Sequence, residues 1–317
     1  MRPRIATESV VLTGVLLLLL TLVASSGCGT AAAASSGAVS GVAALQPVAA
    51  SSVASATSST TATSKKSTAT SKTTTTVKKT TTTVKKSDPT QPQVVKAGTP
   101  HAWGLAASAL LTTFNGGRND LLGTQPPTAQ TIHDAKQGLA DSWGIESRKD
   151  LLDMLAWIDQ GGHRKDWEEM AAYIAGLSSS ELSDFVAKAS TNAELKHQVE
   201  MVQQYASQFG KKSLLGWDYA RYISLCRLGY LCGYITEKEA WDHIMPVAAM
   251  LQKTFTSWAD LGQNYLIGRE FWSYQQTLSN GGIMREDYQW LTTSSDSPWM
   301  MNSWNLNLGV TNPKSIS

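Results

Sequence analysis

From residue 98 onward the apolar positions recur every three or four residues, the spacing that gathers them on one face of a helix. The pattern is densest over residues 216–272. There Trp217, Arg221, Ser224, Leu225 and Leu228 share one face of a first helix. Gly229, which can take positive φ without a Cβ clash, reads as its stop. Thr236 opens a second helix, and Glu239 three residues on completes a capping box. Ser257 and Asp260 repeat the device before a third helix.

Upstream, Thr99-Pro100 reads as an N-cap with Pro at the first helical position, and the helix it opens is expected to run to Phe114. Thr128 starts a helix that ends near Gly144. Ser147 opens another with the face Leu151, Leu152, Leu155 and Ile158, closed by Gly161-Gly162. A helix over 163–177 follows, then a capping box at Ser178 and Glu181, then a long helix from Asn192 to Gly210. Residues 285–291 read as a short helix, and Trp299 and Trp304 are expected to pack back on the body. No sustained alternation of apolar and polar residues signals a strand. The expected fold is all-α: a single globular multi-helix domain of about eight to ten helices over residues 98–317.

The pattern changes before residue 98. Arg2 and Arg4 precede an apolar run over 10–24, short for a spanning helix and suited to the core of a signal peptide. Ser25-Ser26-Gly27-Cys28 follows. Small residues before Cys28 resemble a bacterial lipobox, although Ser25 stands where Leu is usual. Lipidation at Cys28, ordinary cleavage and an uncleaved anchor all remain open for 1–28, and all three place the domain outside the cytoplasm. Residues 29–97 are Ser/Thr/Ala/Lys-rich, with TTTTVKK at 73–79 and again at 80–86. So little apolar surface cannot offset the entropy of ordering, so this stretch is expected to be a disordered linker.

Charge divides the same way. The chain has 317 residues and a formal net charge of +2. Residues 1–97 hold ten basic and two acidic side chains, leaving 17 basic against 23 acidic from residue 98 onward. The basic character therefore belongs to the linker, and the body has no claim on nucleic acid. All eleven Trp lie in the body. Most are expected in the core, with an aromatic-lined cleft for a sugar or peptide as the sharper alternative.

Candidate chemistry is sparse. His163-Arg164 follows a Gly-Gly break, where His163 would serve as a general base or else cap the preceding helix, with Arg164 paired to a carboxylate. Asp218 and Arg221, three apart, make an ion pair that either fixes register or orients a functional group. Glu239 and His243 have the spacing of two ligands on one helix face but lack partners from another element; Glu194 and His197 carry a di-iron spacing only once. No metal or cofactor is implied. Gly268 suggests close approach of another helix, and Arg269 is expected to stack on Tyr265. Arg164, Arg221, Arg269, Trp217, Trp241 and Trp272 are the candidate ligand-binding residues; His163, Asp218 and Glu239 are the candidate catalytic ones. Cys226 and Cys232 either pair as a disulfide or remain buried thiols, and six residues apart on one helix they point in different directions.

Several of these residues also carry a resemblance. Leu155-x-Trp157, Gly162-His163-Arg164, Trp217-Asp218-x-x-Arg221, Gly229-Tyr230-x-x-Gly233-Tyr234-Ile235-Thr236-Glu237-x-Glu239-Ala240-Trp241, Leu251-Gln252-x-x-Phe255-x-Ser257-Trp258 and Gly268-Arg269-x-Phe271-Trp272 together resemble the family known as domain of unknown function 1266. The resemblance covers roughly residues 143–304 and implies a bacterial all-helical domain without an assigned activity. Two functions fit the whole. One is a binding module held at the envelope, facing an envelope protein or glycan and tied to the membrane by its N-terminal lipid or signal anchor. The other is a hydrolase-like enzyme acting on an envelope component, which needs His163, Arg164, Asp218, Arg221, Glu239 and Arg269 to share one cleft.

Overall fold

The computed structural model describes residues 94–315. The expected leader 1–28 with Cys28, and residues 29–93 of the expected linker, lie outside the described residues. Within them there is helix and no strand, apart from an isolated antiparallel bridge between Val94 and Leu121. Val95 N–H donates to Asp120 O at 2.7 Å, and with the Val94 bridge this contact begins four residues before position 98.

The helices, in order, are α1 Pro100–Ala106, α2 Ala109–Phe114, α3 Ala129–Trp143, α4 Arg148–Asp159, α5 Arg164–Ala175, α6 Ser179–Ala189, α7 Ala193–Phe209, α8 Leu215–Leu231, α9 Glu237–Thr254, α10 Trp258–Trp272, α11 Tyr274–Thr293 and α12 Pro298–Met301. Their starts follow the capping residues in the sequence. Thr99, Thr128, Ser147, Ser178, Asn192, Thr236 and Ser257 each accept a backbone N–H of the first turn, and Ser178–Glu181 and Thr236–Glu239 close as reciprocal boxes. Gly144 ends α3 at φ 64°.

Three expected boundaries move. The helix expected to run from Thr99 to Phe114 breaks at Ala107 and Ser108 into α1 and α2. Buried Ser108 turns its hydroxyl back to Leu105 O and accepts from Arg227, which fixes the break. Gly229 does not stop α8, which runs through it to Leu231; Gly233, at φ 75°, follows instead. Gly229 is needed for packing, because a Cβ there would lie 2.3 Å from Leu151 Cδ2. The short helix expected over 285–291 is the second half of α11, which continues through Gly281 and Gly282 because it lies along α10, α2 and α7. Tertiary contact outweighs local propensity there.

α8 is the axle. It packs against α2, α3, α4, α9 and α10, and almost every residue from Leu215 to Leu231 is buried. A helix buried all round is normally apolar, yet α8 carries Asp218, Arg221 and Arg227. Each must therefore draw its partners from within the fold. Arg227, fully buried, donates to Ser108 Oγ (2.9 Å), Thr112 Oγ1 (2.7 Å), Arg118 O (2.8 Å), Leu121 O (3.0 Å) and Leu122 O (3.3 Å). Burial pulls its guanidinium down to about 9. Asn264 on α10 receives Gly216 N–H at 2.8 Å and so caps the start of α8 from another helix. Trp299 returns to donate to Ala106 O, and Trp304 packs on Trp103 and Trp258, as the spacing predicts.

At the α8–α10 crossing a Cβ on Gly268 would lie 2.3 Å from Trp217 Cβ. An Ala in an open helix would gain about 1 kcal/mol over Gly. Here the methyl meets the stem of a buried indole, so Gly268→Ala is expected to cost about 1–3 kcal/mol by overpacking. Urea unfolding measures this; a variant as stable as the parent would refute the close crossing.

Candidate functional site

The site is built around the carboxylate of Asp218, in the first turn of α8 and fully buried. After α4 the chain turns through Gly161 and Gly162, both at positive φ. The turn brings His163 N–H to Asp218 Oδ1 (3.2 Å) and Arg164 N–H to Oδ2 (3.1 Å). A Cβ on Gly162 would lie 2.5 Å from Oδ2, so only Gly allows the carboxylate to sit there. Asp218 thus caps α5 from a different helix, because its own N-cap residue, His163, makes no side-chain cap. The capping role expected of His163 belongs to Arg164. Its guanidinium holds the last carbonyls of α4, at Ile158 O (2.6 Å) and Asp159 O (3.0 Å), and pairs with Asp218 Oδ2 at 3.3 Å.

Arg221 completes the cluster one turn along α8. Its Nη2 lies 2.7 Å from His163 Nδ1 and 3.8 Å from Asp218 Oδ1. Its guanidinium stacks 4.1 Å from the Trp217 ring centroid and 5.0 Å from that of Trp143. His163 sits edge-on among Trp157 at 4.9 Å and Trp217 and Trp272 at 6.4 Å each. Burial first and Arg221 second hold the imidazole well below its usual range, so it is neutral. A guanidinium only donates, so Nδ1 accepts and the ring proton is assigned to Nε2. Burial brings Arg221 down to about 10. Burial also pushes Asp218 upward, against the opposing pull of Arg221, Arg164 and the two N–H groups. The cluster reaches the surface: 14% of the His163 side chain is accessible, and Trp143, Trp157 and Trp272 are half-buried.

Four of the six polar candidates therefore meet, and two do not. Glu239 stays at the start of α9, bonded to Thr236 and to Arg148 at 2.7 Å, a pairing that holds its carboxyl down at about 2. Arg269 bonds Asn280 and stacks 5.6 Å from the Phe114 ring, not on Tyr265 as expected. Trp241 lies apart, stacked on His101 at 4.0 Å. His243 Nδ1 meets Tyr222 Oη at 3.0 Å, and Glu194 accepts Tyr274 N–H, so neither forms the ligand pair its spacing suggested. Cys226 and Cys232 are buried free thiols; burial raises both, Cys232 to about 11. A separate cleft of about 430 Å³, lined by Val95, Arg118, Trp290, Met301 and Asn302 among others, contains none of these candidates. Sequence reasoning missed Trp143, Trp157 and Asn264 as parts of the site or its support. Trp157 was legible only as part of the Leu155-x-Trp157 match.

The body is all-helical, and its Gly-His-Arg turn is capped by a carboxylate from the central helix. The chain belongs to the family described as protein of unknown function DUF1266, whose model matches residues 138–304. It is 28% identical over 145 residues to the uncharacterized protein YbeU of Escherichia coli (strain K12), covering 46% of this chain and 61% of that one. It is 27% identical over 141 residues to the uncharacterized protein YbeR of the same organism, covering 42% and 56%. The chain thus spans less than two thirds of either relative. No solved structure matches it.

Two outcomes follow from the cluster. Asp218→Asn would aim an amide NH₂ at groups that themselves donate and strip both guanidinium groups of their countercharge. A loss of about 3–5 kcal/mol in urea unfolding is expected; an unchanged midpoint would refute the cap. Asp166, in the first turn of α5, is raised from 3.8 to about 6 by burial, then by Glu169 and Asp218. A raised carboxyl contributes stability below its unfolded value that is lost as pH climbs through the folded one. The parent should therefore lose stability relative to Asp166→Asn between pH 4 and pH 6. The difference should hold at about 1–2 kcal/mol above that, since solvent screening of this partly exposed carboxyl reduces the full effect of about 3 kcal/mol. Parallel unfolding curves of both proteins from pH 4 to pH 8 check the sign.

Proposed function

We propose that this domain is a binding module presented at the cell envelope on its N-terminal leash, and that the aromatic cluster around His163 is its ligand-facing surface. One observation carries the reading. Asp218, the carboxylate at the centre of the cluster, has both oxygens engaged by backbone N–H groups and Arg164. The cluster therefore offers hydrogen-bond donors and indole faces but no spare base. His163 is neutral and its Nδ1 is occupied, so it is suited to donate from Nε2 rather than to accept a proton. The hydrolase reading needed Glu239 and Arg269 in the same cleft, and they lie on other contacts.

The export signal, the leash and the envelope location are the expectations of the N-terminal sequence and belong to this proposal. The partner class is an envelope protein or glycan, since indole rims recognise apolar and sugar faces alike. The purified full chain in detergent, titrated with solubilised envelope protein and separately with released envelope glycan, should give a saturable change in indole fluorescence with one fraction. His163→Ala should weaken that binding at least about five-fold, the size of one lost hydrogen bond, while leaving the fold intact by circular dichroism. Absence of saturation with both fractions, or unchanged binding by the variant, would refute the proposal.

A further inference from the structure

Two N–H groups in the cluster have no acceptor among the described residues. Arg221 Nε and Trp217 Nε1 are both buried without a hydrogen-bond partner, on residues each only 4% exposed. Buried donors are nearly always satisfied, and an orphan marks strain or an acceptor the protein itself does not supply. The two residues are one turn apart on α8, with the guanidinium lying over the indole. Gly268 crosses close to Trp217, and Arg221 bonds His163 and stacks on Trp143.

Charge adds direction. Two guanidinium groups, Arg164 and Arg221, share a single carboxylate, Asp218. Asp166, the next carboxyl along α5, makes no hydrogen bond to either guanidinium. His163 supplies a third donor, not an acceptor. The cluster therefore holds donors without acceptors and is walled by flat rings.

We propose that this cluster is a receptor for a ligand bearing a free carboxylate, which accepts from Arg221 Nε and Trp217 Nε1 while the rest of the ligand lies against the indoles of Trp157 and Trp272. A planar carboxylate matches the two orphan donors, and guanidinium–carboxylate bonds are among the stronger ones available. A neutral carbonyl would meet the donors without that charge-assisted bond. His163, Trp143, Trp157 and Trp272 are the partly accessible members of the cluster. The inference rests on the binding-module reading and narrows its ligand.

The test uses the purified full chain and two probes: N-acetylalanine, which has a free carboxylate, and its methylamide, which does not. Calorimetry and indole fluorescence should detect the carboxylate with Kd near or below about 1 mM, and the amide at least about ten-fold more weakly. Arg221→Lys keeps the charge but loses Nε, and should weaken the carboxylate about ten-fold or more. Equal binding of the two probes, binding of neither, or a folded Arg221→Lys that binds like the parent would overturn the proposal. Should Arg221→Lys fail to fold, the comparison of the two probes on the parent still decides. Envelope titration that succeeds while the carboxylate fails removes the ligand class alone. Carboxylate binding without envelope binding removes the envelope reading and keeps the site.

Discussion

One buried carboxylate holds the centre of this molecule together. Asp218 reaches from the first turn of α8 to the start of α5 and neutralises the orphan N–H groups there. It also anchors the two arginines that would otherwise be uncompensated charges in the core. Through Arg164 the same charge governs the end of α4. A single ionised group thereby fixes the mutual placement of three helices, which hydrophobic contact, having no direction of its own, specifies less sharply.

That arrangement constrains chemistry as well as shape. A carboxylate committed to holding a turn cannot also move protons, and an imidazole desolvated beside a guanidinium is fixed as a donor. What remains is a rigid frame of rings and N–H groups. Rigidity suits recognition, because few rotamers are left to freeze when a partner arrives. Asn264 repeats the device at the start of α8, so α8 and α5 both begin on side chains borrowed from elsewhere in the fold.

How far the chain could be read in advance depended on whether the determining contact was local. Caps such as Thr236 with Glu239, or Ser178 with Glu181, lie three residues apart and were plain from spacing. The all-helical class and the return of Trp299 and Trp304 were likewise visible. Misreadings came where distant partners decide. Gly229 has the character of a stop, yet it is there to admit Leu151. Residues 285–291 read as a short helix, yet α11 starts at Tyr274 and runs through Gly281-Gly282 beside its neighbours. In the site, the Gly-His-Arg turn and the Asp-x-x-Arg pair were each legible, but 54 residues separate Arg164 from Asp218 and nothing local announces that they meet. Arg269 and Glu239 were drawn into the same picture by residue type alone, and their neighbours lead them elsewhere.

Arg227 brings a different lesson, about where the folding unit ends. Its guanidinium is satisfied only by neutral oxygens from Ser108, Thr112, Arg118, Leu121 and Leu122. Every one of them lies before residue 138, where the family match starts. A fragment trimmed to the matched boundaries would keep the cation and discard all its solvation, leaving an uncompensated charge in the interior. The N-terminal helices are thus an inseparable lining of the core, and the smallest autonomous piece of this protein is longer than the shared sequence would suggest.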